Sequence, residues 1–342
     1  MKRINILIIV IVLFFILQAI YIPKSSSGTE DKLFLIEKGE NLFQIANRLE
    51  QEGMIRSRFF FDFFVFLKNS QSKLQAGEYS LNSSMNIIEI ANKIISGDTI
   101  KILITIPEGW NLRDIAWNFE NKGMFQAEEL FELIGFPLIN YSVTTDLPKP
   151  KDFSLDYEFL KDKPKNISLE GYLFPDTYET VPGAGLESIV RKTLNNFDKK
   201  LTQDLREEIK EQGRTIFEII TMASLLEKEV KDFEEKKIVA GVLWKRMENG
   251  IGLHVDATIS YITGKKTVKI SKEETEIDSL YNTYKYRGLP LGPICNPGLE
   301  SIIAAIHPVN SDYWYYLSTP EGETIFNETL EEHNIDKARY LK

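Results

Sequence analysis

The sequence predicts an α+β protein in three parts. An apolar helix comes first, then a small region of strands and helices, then a larger mixed α/β domain with one central helix. Three observations predict this. Residues Ile4 to Ile22 run for nineteen positions without a charge. A stretch near residue 40 recurs without gaps near residue 110. The run Thr215 to Val230 holds no Gly or Pro and has helical apolar spacing.

Composition sets the outer limits. The chain has 342 residues, 43% hydrophobic and 27% charged, which suits two or three compact units. A net charge of -9 argues against a nucleic-acid surface, which needs a basic patch. Cys295 is the only cysteine, so no intrachain disulfide and no cysteine metal cage can form. His254, His307 and His333 share no metal-ligand spacing and read as structural or surface residues. No metal or cofactor is expected.

Met1-Lys-Arg precedes the uncharged run. At about 1.5 Å per residue, nineteen helical residues cover about 28 Å, close to a hydrocarbon core. A cleaved signal peptide would have a shorter apolar core and a small-residue cleavage site. Here the run continues to Ile22 and meets Pro23-Lys-Ser-Ser-Ser-Gly. Residues 1–28 are therefore read as a single-pass transmembrane anchor and its linker. Lys2 and Arg3 favour the N-terminus inside, with the rest of the chain outside the cytoplasmic membrane.

The repeat pairs Glu37–Ile55 with Pro107–Phe125. Gly39/Gly109, Asn41/Asn111, Leu42/Leu112, Ile45/Ile115, Ala46/Ala116, Gly53/Gly123 and Met54/Met124 are identical. Each copy follows a β-like run, Leu33–Ile36 or Ile102–Ile106. Each then shows a turn glycine, an Asn N-cap, an amphipathic helix and a closing Gly. Asn82 to Gly97 is a further short helix, and Phe59 to Phe66 reads as a helix buried beneath this module. The first copy resembles a LysM motif, a small βααβ module that binds N-acetyl sugars. The turn followed by Leu-x-x-Ile-Ala carries that likeness, and a packing role without sugar fits equally well. The boundaries follow: a LysM-like subdomain at 29–105 and the larger domain at 106–342, with the second copy at 102–125. Tyr141 to Asn166 is rich in Pro, Lys and Asp and reads as a long loop.

In the central helix Ile216, Ile219, Ile220, Ala223, Leu226 and Val230 share one stripe. Glu227 falls inside it, and Glu229 points elsewhere. A carboxylate among aliphatic side chains is costly to ionise, and a carboxylic acid kept protonated can serve as general acid and then base. A core-edge glutamate satisfied by an Arg or a backbone N–H is the plainer alternative. Further on, Tyr281 to Gly298 holds three Pro and three Gly in eighteen residues, so it is neither helix nor central strand. Its Tyr, Asn and Arg side chains suit sugar rings, and a rigid structural loop suits them equally.

Four ordered stretches then carry a resemblance. They are Leu169-Glu-Gly-Tyr-Leu-Phe-Pro-Asp-Thr-Tyr178, Ala223-Ser-Leu-Leu-Glu-Lys-Glu229, Val255-Asp-Ala-Thr258, and Tyr281-Asn-Thr-Tyr with Arg287-Gly-Leu-Pro-Leu-Gly-Pro-Ile-Cys-Asn-Pro-Gly298. Together they resemble the YceG-like family of endolytic murein transglycosylases over nearly the whole chain. The resemblance implies cleavage of the β-1,4 bond between N-acetylmuramic acid and N-acetylglucosamine, with a 1,6-anhydro end and no water consumed. It carries the family's catalytic glutamate onto Glu227. His254 and Ala257 stand where the family usually has Gln and Pro, while Asp256 and Thr258 are kept. Glu170 and Asp256 are candidate second carboxylates. Ser224, Asn282, Tyr284, Arg287 and Asn296 are candidates for substrate contact or support. Peptidoglycan strands are the implied partner, in the membrane setting described above. The synthases that elongate those strands are a further implied partner. A hydrolytic muramidase and a non-catalytic, membrane-tethered peptidoglycan binder are the alternatives.

Overall fold

The computed structural model describes residue 14 and residues 18–25, 30–144, 146–265, 270–320 and 322–340. The chain divides into two compact units. One holds residues 1–104 and 179–184, the other residues 105–178 and 185–342.

The first unit contains β1 (Lys32–Ile36), α1 (Leu42–Gln51), α2 (Arg58–Leu67), β2 (Gly77–Leu81) and α3 (Ile87–Ser96). β1 and β2 pair antiparallel, with Phe34 opposite Tyr79. Alternation along each strand turns Phe34, Ile36, Tyr79 and Leu81 inward. They meet Ile45, Leu49, Phe61, Val65, Ile90 and Ile94 in one core. The repeat is a repeat of local structure. Asn41 caps α1 with Gln44 answering, and Asn111 caps the helix beginning at Leu112 with Asp114 answering. The turn glycines Gly39 and Gly109 both take the left-handed region, at φ 93° and 75°.

Two expectations are corrected here. The run Phe59–Phe66 forms helix α2, but it is not buried all round. Phe61 and Val65 enter the core, whereas Phe59, Phe66 and Leu67 are 65%, 67% and 64% exposed. The helix has only one neighbour-facing side, and the run of Phe places rings on every side. The N-terminal transmembrane helix is not shown either. Among the described residues no helix is long and apolar enough to cross a membrane. Residues 1–13 and 15–17, most of the expected span, lie outside the described residues. The residues just after that run make polar contacts with the first unit's turns. Arg56 Nη2 donates to Pro23 O at 2.7 Å, and the Ser25 N–H donates to Ser83 O at 2.9 Å.

The boundary between the units cuts β3 (Ile102–Ile106) and β4 (Asp176–Thr180), which pair with each other. The second unit continues with α4 (Leu112–Asn121), α5 (Ala127–Ile134), α6 (Leu186–Lys200), α7 (Gln203–Glu211), α8 (Ile216–Glu229) and α9 (Phe233–Glu248). Then come α10 (Asp256–Thr263), α11 (Lys272–Thr275), α12 (Leu299–Ile306), the antiparallel hairpin β5 (Tyr315–Ser318) and β6 (Thr324–Asn327), and α13 (Leu330–Tyr340). α8 packs against α9, α10 and α12. Every residue from Ile219 to Leu226 is buried, so this helix is enclosed on all sides rather than along one stripe.

Candidate active site

α8 starts in a capping box between Thr215 and Glu218 and ends where Val230 turns extended. Successive residues of a helix point about 100° apart. Glu227, Lys228 and Glu229 at its end therefore reach three different neighbourhoods.

Glu227 faces the start of α12. Its Oε2 accepts from the Gly298 N–H at 3.0 Å and from Ser301 Oγ at 2.6 Å, and lies 3.6 Å from Lys236 Nζ. Its side chain is 10% exposed. A carboxylate at a helix N-terminus, bonded to the first free N–H, is a stabilising cap. Glu108 lies beside this cluster. Burial and then the Glu227 charge push its carboxyl above the usual carboxylate range. A side chain at position 298 would meet the Glu108 carboxylate, which would have to swing aside. Lys228 turns to the repeat's second turn and donates to Gly109 O at 3.0 Å.

Glu229 faces α10 and β5. Tyr316 Oη donates to its Oε2 at 2.9 Å. Burial, reinforced by the Asp256 charge, raises its pKa from 4.5 to about 7, against the opposing pull of Tyr316 and the Ala257 N–H. The residue is partly exposed in the fold, and Asp256 beside it is exposed. Tyr284 Oη donates to Asp256 Oδ1, and the Tyr284 ring stacks on His254 with centroids 5.0 Å apart.

The other predicted residues separate by depth. Glu170 is 1% exposed and accepts from the Leu112 N–H at 3.1 Å and from Tyr261 Oη at 2.9 Å. Burial raises its pKa to about 8. It clasps the start of α4 and has no access to a substrate. Ser224 is fully buried, and its Oγ receives the Ile294 N–H at 3.0 Å. Asn296, also buried, donates from Nδ2 to Trp110 O at 2.9 Å and accepts the Leu173 N–H at 2.9 Å. Asn282 donates to Thr275 O and Ile277 O. These three hold the Tyr281–Gly298 loop against its surroundings. Arg287 is exposed beside Gly250 at the end of α9 and is not brought to either glutamate. Asp256 and Tyr284 are brought to Glu229.

A proton donor that works near neutral pH must hold its proton there and must be reachable. Glu170 meets the first condition only. Glu227 and Glu229 are both partly buried at the end of α8. Glu227 is held by two hydrogen-bond donors and lies within ion-pair distance of Lys236. Burial lifts Glu229 toward neutrality. Both glutamates of the Ser224–Glu229 motif are therefore candidates for the acid and base, and spacing within the motif does not separate them.

Comparisons with known proteins agree with the motifs. The YceG-like family model matches residues 34–339. An endolytic murein transglycosylase of Bacillus subtilis (strain 168) is 33% identical over 310 residues, covering 90% of this chain and 84% of that one. One from Streptococcus pneumoniae serotype 2 is 31% identical over 319 residues and 90% of this chain, which spans 58% of that relative's length. A crystal structure of a yceG-like protein from Listeria monocytogenes is 31% identical with a TM-score of 0.59, covering 90% of this chain and 99% of that one.

Proposed function

Since the chain belongs to the YceG-like family, we propose that it is an endolytic peptidoglycan lytic transglycosylase with Glu229 as its acid and base. The bond cut joins N-acetylmuramic acid to N-acetylglucosamine. The Glu229 carboxyl gives its proton to the glycosidic oxygen as the bond to C1 breaks. The resulting carboxylate takes the proton of the muramic C6 hydroxyl, whose oxygen closes on C1. The outcome is a 1,6-anhydro end and a free N-acetylglucosamine O4 hydroxyl, with no water consumed. One residue serves both steps, unlike the two carboxylates of ordinary glycosidases. The observation that carries this reading is the place of Glu229 at the end of α8, held by Tyr316 Oη and set near Asp256, with burial lifting its carboxyl toward neutrality.

The test uses uncross-linked glycan strands, with products weighed by mass spectrometry. Glu229→Gln should lower turnover by about a hundredfold or more while leaving the melting temperature near wild type. Loss of turnover in Glu227→Gln at unchanged stability, with Glu229→Gln active, would return the role to Glu227. Asp256 beside Glu229 supports a second reading, a hydrolytic muramidase with two carboxylates. Its product would be heavier than the anhydro end by one water. Any turnover at all excludes a purely binding protein.

The enzyme acts outside the cytoplasmic membrane, where its substrate lies, and ends nascent strands beside the synthases that lengthen them. Its first unit, ordered strand, helix, helix, strand, holds the glycan in the manner of a LysM module. Pull-down of sugar strands by the first unit's surface variants, and protease shaving of intact cells, test these two statements.

A further inference from the structure

The second unit buries a charge that its own side chains leave uncompensated. Arg246, near the end of α9, is 7% exposed. Its Nε is buried without a hydrogen-bond partner. Among the described residues no Asp or Glu pairs with it. Nη2 lies 3.5 Å from His254 Nδ1, and Cζ stands 5.7 Å from the Tyr315 ring centroid. The other groups that favour its charge are the hydroxyls of Tyr316 and Tyr284. A guanidinium stays charged at physiological pH, and burying it without a counter-charge is costly.

His254 is built to face this cation. Its φ of 53° is one of three positive values at non-glycine positions among the described residues. Such backbone persists where the surroundings over-determine it, and it gathers at ligand sites. The surroundings here are plain. The ring stacks on Tyr284 within 9° of parallel, and a side chain at Gly252 would come within 2.6 Å of His254 Nε2. Burial and then the Arg246 charge lower the affinity of the imidazole for a proton, so it does not add a second cation. The same residues lead to the acid, since Tyr284 holds Asp256 and Tyr316 holds Glu229.

We propose that Arg246, set by His254 and Tyr284, is a subsite beside Glu229 that recognises a substrate carboxylate. This rests on the lytic reading above. The N-acetylhexosamine backbone carries no charge of its own. The carboxylates of peptidoglycan belong to its stem peptides, or to the lactyl groups of muramic acid where peptides are absent. A planar guanidinium matches either one. It would separate peptidoglycan from uncharged N-acetylglucosamine polymers.

The full-length protein and its Arg246→Gln and Arg246→Lys variants are compared on three substrates. These are peptide-bearing strands, strands stripped of peptide, and strands whose carboxylates are converted to amides. For wild type, amidation should raise KM about tenfold to a hundredfold and leave kcat within about threefold. Arg246→Gln should have that raised KM on unmodified strands, with Arg246→Lys between the two. A KM difference confined to peptide-bearing strands names the stem peptide, and one confined to stripped strands names the lactyl group. Equal wild-type KM on native and amidated strands overturns the subsite, whatever the variants do. So does a Gln variant that folds and keeps wild-type KM. Failure of wild type to cleave any strand would sink the lytic reading instead.

Discussion

Two glutamates stand two positions apart at the end of α8, and their neighbours give them different work. Glu227 meets an N–H, a hydroxyl and an ammonium. Glu229 meets one phenol, the Ala257 N–H and another carboxylate's field. As general acid, Glu229 must begin protonated, so kcat/KM should fall as pH rises through about 7. Tyr316 favours the charged form by donating to it. Tyr316→Phe should therefore move the alkaline limb to higher pH, which a pH–rate profile reads directly. Glu170 tests the same physics on stability. Its pKa is about 8 folded and near 4.5 unfolded. The folded state thus keeps a proton that the unfolded chain has released within that window. The stability from this group is complete below about pH 4.5 and is lost as pH rises through about 8. At about 1.4 kcal/mol per pH unit, the loss is on the order of 5 kcal/mol. Glu170→Gln copies the shape of the protonated acid, and its amide oxygen can accept from both Leu112 and Tyr261, so it should melt close to wild type at pH 5. By pH 9, where wild type has lost this contribution, the variant should melt above it in thermal melts.

At the level of elements, α12 depends on an anion at its first turn. Glu227→Ala would leave Gly298 N–H and Ser301 without their acceptor and the 5%-exposed Lys236 side chain without its partner. The expected cost is roughly 3 kcal/mol, seen as a lower melting temperature, with turnover retained well below it. What the sequence made legible was local. The Asn caps and turn glycines of the two copies depend on neighbours within four residues, so their pattern survives in one dimension. The site's wiring does not. Tyr316 reaches Glu229 across 87 positions, and Leu112 reaches Glu170 across 58. No spacing in α8 itself could tell Glu227 from Glu229, because its interior turns are buried on every side.

At the scale of the whole molecule, Arg246, His254, Asp256, Glu229, Tyr284 and Tyr316 all belong to the second unit. The first unit has a separate core from Phe34 to Ile94. Chemistry on a strand that is already free in solution should then need nothing before residue 30. A chain shortened to begin there keeps β1 entire and loses contacts that include Arg56 to Pro23, Arg56 to Lys24 and Ser25 to Ser83. Each is worth about 0.5–1.5 kcal/mol, so its melting temperature should fall by only a few degrees. On isolated strands its kcat/KM should stay within about twofold of the full chain. A folded, shortened protein that cannot cut isolated strands would mean that the early residues take part in the reaction, and the division of labour drawn here would have to be redrawn.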